Sequence, residues 1–242
     1  MTQREHHRAA LLALPVEQWD AYLAAHSNLP GPRANLELLA AVGDVAEPAY
    51  LRDCASSEDE YRAACGAAGL GRLAAEGDPA ASVELRRCAT DERWRVREGV
   101  AMGLQRLGDA DPPALLRLVD AWADGPPLVQ RAAVAGLCEP RLLRTPATAA
   151  AALDLLDRVT ASLAALAPDR RRAPDARTLR QGLGYCWSVA VAASPDDGFP
   201  RLERWAQEPD ADVRWVVREN LRKARLDRAD PGRTRRLREL LG

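Results

Sequence analysis

The sequence predicts an all-α fold: an α-solenoid of stacked antiparallel helix pairs, wound as a right-handed superhelix with a concave groove. The first observation behind this is a cassette that occurs four times, a branched aliphatic, two spacers, a Cys or Trp, then Ala. Its copies are Leu51/Cys54/Ala55, Leu85/Cys88/Ala89, Val119/Trp122/Ala123 and Leu202/Trp205/Ala206. The second is an apolar anchor seven or eight residues beyond each Cys or Trp, at Tyr61, Val96, Val129 and Val213. The third is composition: the 47% apolar fraction is mainly Ala and Leu, with a single Phe, so helix propensity is favoured nearly everywhere. The first three cassettes are 34 residues apart and the last lies 83 further on, room for one ordinary unit and one enlarged by an insertion. A period of this length built from two helical patterns marks helix pairs that bury their apolar faces only against neighbouring pairs.

The elements follow in order within one continuous domain spanning residues 1–242. Residues 1–30 read as N-terminal capping helices with an apolar set at Leu11, Leu12, Leu14, Trp19 and Leu23, interrupted at Pro15. Leu29-Pro30-Gly31-Pro32 is a turn, because Pro cannot extend a helix and Gly frees the backbone. The repeats occupy residues 35–227, beginning with helices around Asn35–Val42 and Glu47–Ala55. In each unit the first helix ends at the cassette and the second starts at the anchor. Second helices carry one apolar stripe at i, i+4 and i+8: Val96, Val100, Leu104, then Leu107; Val129, Ala133, Leu137; Leu179, Leu183, Trp187, then Ala190; Val213, Val217, Leu221, then Ala224. Stops are expected at Gly108-Asp109, Glu139-Pro140 and Ser194-Pro195, with turns at Asp111-Pro112 and Asp124-Gly125-Pro126. An insertion near residues 167–176, Pro168-Asp169-Arg170-Arg171-Arg172-Ala173-Pro174, reads as a charged loop, and residues 232–242 as a basic capping helix. The glycines of Gly66-Ala67-Ala68-Gly69-Leu70-Gly71 lie in a helical run, where they permit close helix packing rather than cradle a phosphate.

Several function classes are disfavoured. Five cysteines without C-x-x-C spacing, and histidines only at His6, His7 and His26, form no metal-binding pattern, so neither metal nor cofactor is expected; Cys54 and Cys88 are small core residues. No apolar run approaches a membrane span and no secretion signal opens the chain, so the reading is cytoplasmic, off the membrane and monomeric. A net charge of −1 argues against a general polyanion binder, but residues 168–242 hold 17 basic against 12 acidic side chains, and residues 1–90 hold 8 against 13. The C-terminal part is the plausible electropositive region. No histidine sits within the repeats as a general base and no G-x-S-x-G elbow is present, so no catalytic residue is assigned.

The candidate binding residues are Trp94 with Arg97 and Trp215 with Arg218, each pair at i and i+3 and followed by Glu98 or Glu219, together with Arg131 and Trp187. Arg170, Arg171 and Arg172, with Arg177 and Arg180, are the best candidates for a specific anion contact, since a loop at a unit boundary projects to the surface. Arg62, Arg97, Arg180 and Arg214 each follow an anchor, with Gln130 breaking the row. They are expected to hold unit to unit by meeting acids such as Asp91, Asp124 and Asp210; the alternative is that the same arginines, Arg214 among the candidate binding residues, neutralise phosphates on a groove.

At Asp91-Glu92-Arg93-Trp94-Arg95-Val96-Arg97-Glu98-Gly99-Val100-Ala101, then Trp122 and Val129-Gln130-Arg131-Ala132-Ala133-Val134, the chain resembles HEAT-repeat proteins and, more narrowly, the HEAT-like DNA alkylation repair family. The resemblance spans about residues 57–226. It implies a C-shaped solenoid whose concave basic face grips duplex DNA and, in active members, excises alkylated bases with aromatic side chains and an Asp. The paired Trp-Asp segment of active members is not found here, so no catalytic Asp carries over. The expectation is a non-catalytic module holding a nucleic-acid backbone or a protein segment in its groove. The alternatives are a glycosylase acting on alkylated purines, with Trp94, Trp187 or Trp215 at the lesion, and an adaptor that binds protein and ignores DNA.

Overall fold

The computed structural model describes all 242 residues, and the chain is all-helical, 79% helix without a strand. Where the sequence reads as one continuous domain, the helices gather into two compact units, Met1–Ala114 and Leu115–Gly242.

The first unit contains α1 (Gln3–Ala13), a short 3-10 turn at Val16–Gln18, α2 (Trp19–His26), α3 (Leu36–Val45), α4 (Pro48–Ala55), α5 (Glu60–Ala75), α6 (Pro79–Cys88) and α7 (Trp94–Ala110). Most starts have a local cause. Thr2 forms a capping box with Glu5, Asn35, Asp59 and Asp78 accept first-turn N–H groups, and Pro48 and Pro79 sit where a missing N–H costs nothing. Helix α1 packs on α3, α3 on α5 and α5 on α7, while α4 lies against α5, and α6 against α5 and α7. The α5–α7 contact is the most extensive in the chain, and its glycines explain why. A Cβ on Gly71 would stand 2.0 Å from the Gly103 carbonyl oxygen, and one on Gly99 would stand 2.4 Å from that of Ala64. The two backbones touch with no side chain between them.

The second unit opens within α8 (Pro112–Trp122) and continues through α9 (Pro127–Leu137), α10 (Pro146–Ala165), α11 (Pro168–Arg171), α12 (Pro174–Ala193), α13 (Pro195–Gln207), α14 (Ala211–Leu221), α15 (Ala224–Ala229) and α16 (Pro231–Leu241). Helix α12 is the hub, packing on α9, α10, α13, α14 and α15. Its Trp187 is fully buried and donates from Nε1 to Thr160 Oγ1 at 3.0 Å. Asn220 on α14 is equally buried, accepting from Ser188 N at 2.7 Å and donating to the Leu183 and Val216 carbonyls, each at 2.8 Å. These bonds meet the requirement that a buried amide find partners.

The four cassettes close α4, α6, α8 and α13, and the four anchors lie two or three residues into α5, α7, α9 and α14. All four anchors are buried, as are all cassette residues except half-buried Trp205. The side chain after the anchor reaches back to the preceding helix or its connecting loop in three copies. Arg62 Nη2 meets Asp53, Arg97 Nη1 the Glu92 carbonyl, and Gln130 Nε2 the Ala123 carbonyl at 2.7 Å. Gln130 therefore replaces Arg at that post.

The acids expected for this row are mostly engaged elsewhere. The Asp91 carboxylate takes Arg93, Asp124 takes Arg158 of α10, and Asp210 takes Arg171. Other expectations also need correcting. Residues 168–171 form the short helix α11 rather than open loop; α7 runs past Gly108-Asp109 to Ala110; and Ala224 begins α15, exposed, instead of extending the α14 stripe. Leu12 points outward at 68% exposure, because Leu11 takes the inward position on α1.

Candidate functional site

The second unit holds a cleft of about 720 Å³ lined by Pro168, Arg171, Arg172, Arg177, Arg180 and Asp212. It is built where α11, the start of α12 and the start of α14 meet. Arg171 forms the fixed wall: Nε donates to the Leu166 carbonyl at 2.7 Å, Nη2 to the Ala164 carbonyl, and Nη1 meets Asp210. It thus covers the carbonyl end of α10 and grips the residue that caps α14, since Asp210 Oδ1 accepts from Asp212 N and Val213 N at 3.0 Å each. Burial alone would raise the Asp210 carboxyl, but Arg171 and these N–H groups outweigh it and hold it below its ordinary value.

Arg180 is the second fixed cation. Its Nη1 meets Asp212, its guanidinium lies 4.6 Å from the centre of the Trp215 ring, and its buried Nε has no hydrogen-bond partner. Arg172 and Arg177 are exposed, and neither side chain makes a hydrogen bond or ion pair. Four guanidinium groups and one carboxylate therefore line the cleft; Arg172 and Arg177 have all their donors to offer, and Arg180 its Nε. Planar forks of this kind suit a phosphate or carboxylate oxygen pair. Arg170, next along the chain, is turned to Asp175 at 3.1 Å.

Of the sequence candidates, Arg171, Arg172, Arg180 and Trp215 come together at this cleft. Others have different duties. Trp187, expected at a partner surface, is in the core, because α12 is covered on several sides. Arg218, expected in a groove, donates to the Leu241 carbonyl at 3.0 Å and ties down the end of α16. Arg97 is drawn into the loop before its own helix by the Asp91 and Glu92 carbonyls. Arg131 on α9 and Arg214 on α14 are half-buried, Arg131 with its stem beside Gly182. Trp94, in the first unit, is 48% exposed with the Arg95 guanidinium over its ring at 4.6 Å. The echo between Trp94 and Trp215 is therefore built differently in its two places, from a neighbour on the same helix in one and from another helix in the other. Asp212, the acid that orients Arg180, was missed by sequence reasoning. The available signal was its place just before the Val213 anchor, in the first turn of a helix.

No group of three or more His, Cys, Asp or Glu residues is placed to hold a metal ion, and no helix is long and apolar enough to cross a membrane. All five cysteines are free and buried.

No protein-family model matches this chain, and no curated protein does. Among solved structures, a crystal structure of an engineered protein aligns over 95% of this chain and 98% of its own at 16% identity and a TM-score of 0.37. A second engineered protein aligns over 96% and 100% at 14% identity and a TM-score of 0.38. Likeness at this level bears on neither fold nor function.

Proposed function

We propose that the protein is a HEAT-like α-solenoid binding module without chemistry of its own, and that it holds a nucleic-acid backbone at the arginine cleft of its second unit. The observation that carries this reading is the pair Arg172 and Arg177, exposed and unpaired beside Arg171 and Arg180. Phosphates spaced along a backbone accept such forks without regard to base sequence, which makes this a grip rather than a reader. Cassettes, anchors and the recurring link behind the anchor support repeated helix pairs, the architecture that presents extended surfaces to elongated guests. The burial of Trp187 takes away one of the aromatic rings on which an alkylated-base glycosylase reading depends.

The test is duplex DNA affinity across a salt series. Binding should weaken linearly in a log–log plot. Replacing Arg172 and Arg177 together by Gln should make that slope shallower by about two, at roughly 0.9 per lost phosphate contact. No binding at low salt would leave the protein-binding adaptor as the reading to pursue.

A further inference from the structure

The first unit has its own pocket, of about 720 Å³, between the Leu29–Pro32 turn, α2, and the start of α5. Arg95, second residue of α7, forms part of its wall and is more than nine-tenths buried. Its Nη2 donates to the Gly31 carbonyl at 2.9 Å, whereas Nε and Nη1 have no hydrogen-bond partner. The nearest carboxylate is Glu60, 3.5 Å from Nε. A buried guanidinium with two idle donors is costly unless something accepts from it.

The other charges of the pocket are paired, although the buried Nε of Arg62 makes an ion pair without a hydrogen bond. Arg62 is matched by Asp20 at 3.0 Å and Asp53 at 2.7 Å; Asp20 also accepts from Tyr50, and Asp59 caps α5. Arg95 thus calls for one carboxylate-sized acceptor, and Glu60, 34% exposed with only a loose hold on Arg95, would welcome a cation. Ala24, Leu29, Pro30 and Pro32 supply an apolar lining between these poles. A phosphate dianion is disfavoured by the three acids around it.

We infer that this pocket binds a small zwitterion of the α-amino acid type, with its carboxylate on Arg95, its ammonium toward Glu60 and an apolar side chain against the proline turn. This site is independent of the arginine cleft, and its test does not involve DNA.

Calorimetric titration with L-leucine, 4-methylpentanoate and isoamylamine separates the parts, since the second lacks the amino group and the third the carboxylate. Leucine should bind, 4-methylpentanoate should bind roughly tenfold more weakly, and isoamylamine should not bind at all at concentrations up to about 10 mM. Arg95→Gln should abolish leucine binding. Because that variant also loses its hold on Gly31, Glu60→Gln serves as the second probe: it should erase the preference for leucine over 4-methylpentanoate while the carboxylate still binds. Isoamylamine binding as well as leucine, equal binding of leucine and 4-methylpentanoate to the unaltered protein, or no binding of leucine would each overturn the assignment.

Discussion

The two units differ in both charge and the way they fill their interiors. The first has 12 basic and 18 acidic side chains, the second 22 and 17, so the chain's near-neutral total conceals an acidic half and a basic half. In the first unit arginines serve largely as staples. Arg72 covers the Gly43 and Ala46 carbonyls at the end of α3, and Arg87 and Arg93 reach the end of α4 and the loop beyond it. In the second, similar staples are present, and the cleft gathers two arginines with nothing in the protein to hold beside two fixed ones, whereas the unpaired Arg33 and Arg86 of the first unit line no such cleft. Inside, the first unit's most extensive contact joins two backbones through several glycines, whereas the second, with a single such approach at Gly198 and Val191, is filled around one large ring, Trp187, and one polar bracket, Asn220. The contrast teaches that net charge is a poor guide to binding capacity. What matters is which charges the fold has left uncompensated.

The largest effect should come from Trp187→Ala, which removes the biggest fully buried side chain and leaves a cavity beside Thr160. A loss of about 3–5 kcal/mol is expected in chemical denaturation, with amide exchange accelerated in α10, α12 and α14. Next, Gly71→Ala should cost about 2–3 kcal/mol despite the higher helix propensity of Ala, because the added methyl meets the Gly103 carbonyl. If that variant proves more stable than its parent, the backbone contact assigned to the first unit is wrong. Asn220→Ala comes third, at about 1–3 kcal/mol for the amide partners it abandons.

A smaller effect involves pH and belongs to the first unit. His7 Nε2 is 3.1 Å from Asn35 Nδ2 and its Nδ1 is 2.8 Å from the Tyr22 hydroxyl. Asn35 Nδ2 also donates to the His26 carbonyl, and its Oδ1 caps α3, so Nε2 must accept and the ring is held neutral. Burial first, then His26 and His6, lowers its pKa below the ordinary histidine value. The unfolded chain therefore takes up the proton first as pH falls. The stability due to neutral His7 is complete above the ordinary value and is lost as pH drops through the folded one. Denaturation midpoints between about pH 7 and 5 should fall less steeply in His7→Gln than in the parent.

The cassettes and anchors were legible because they repeat, and a residue type that recurs at fixed spacing points to a recurring buried position, which holds for every anchor and for every cassette residue but Trp205. Pro112 and Pro195, read as a turn and a stop, stand at the starts of α8 and α13, since a break before a Pro is also where the next helix can begin. Arg171 was legible only as a surface cation. Its role depends on where α10 ends, and the carbonyls of Ala164 and Leu166 carry no side-chain signature. Trp187 was misplaced for a related reason, since periodicity puts it on the apolar stripe yet cannot say how many neighbours cover that stripe. Arg95 lay within the motif that suggested a resemblance, but its burial depends on the proline turn more than sixty residues earlier.

Where Gly71 meets Gly103, α5 and α7 share a seam with no deformable padding. Side chains between helices can change rotamer and absorb a displacement; two touching main chains cannot. A displacement of α7 at its Arg95 end therefore presses backbone on backbone at Gly99 and Gly103, where no change of rotamer can relieve it.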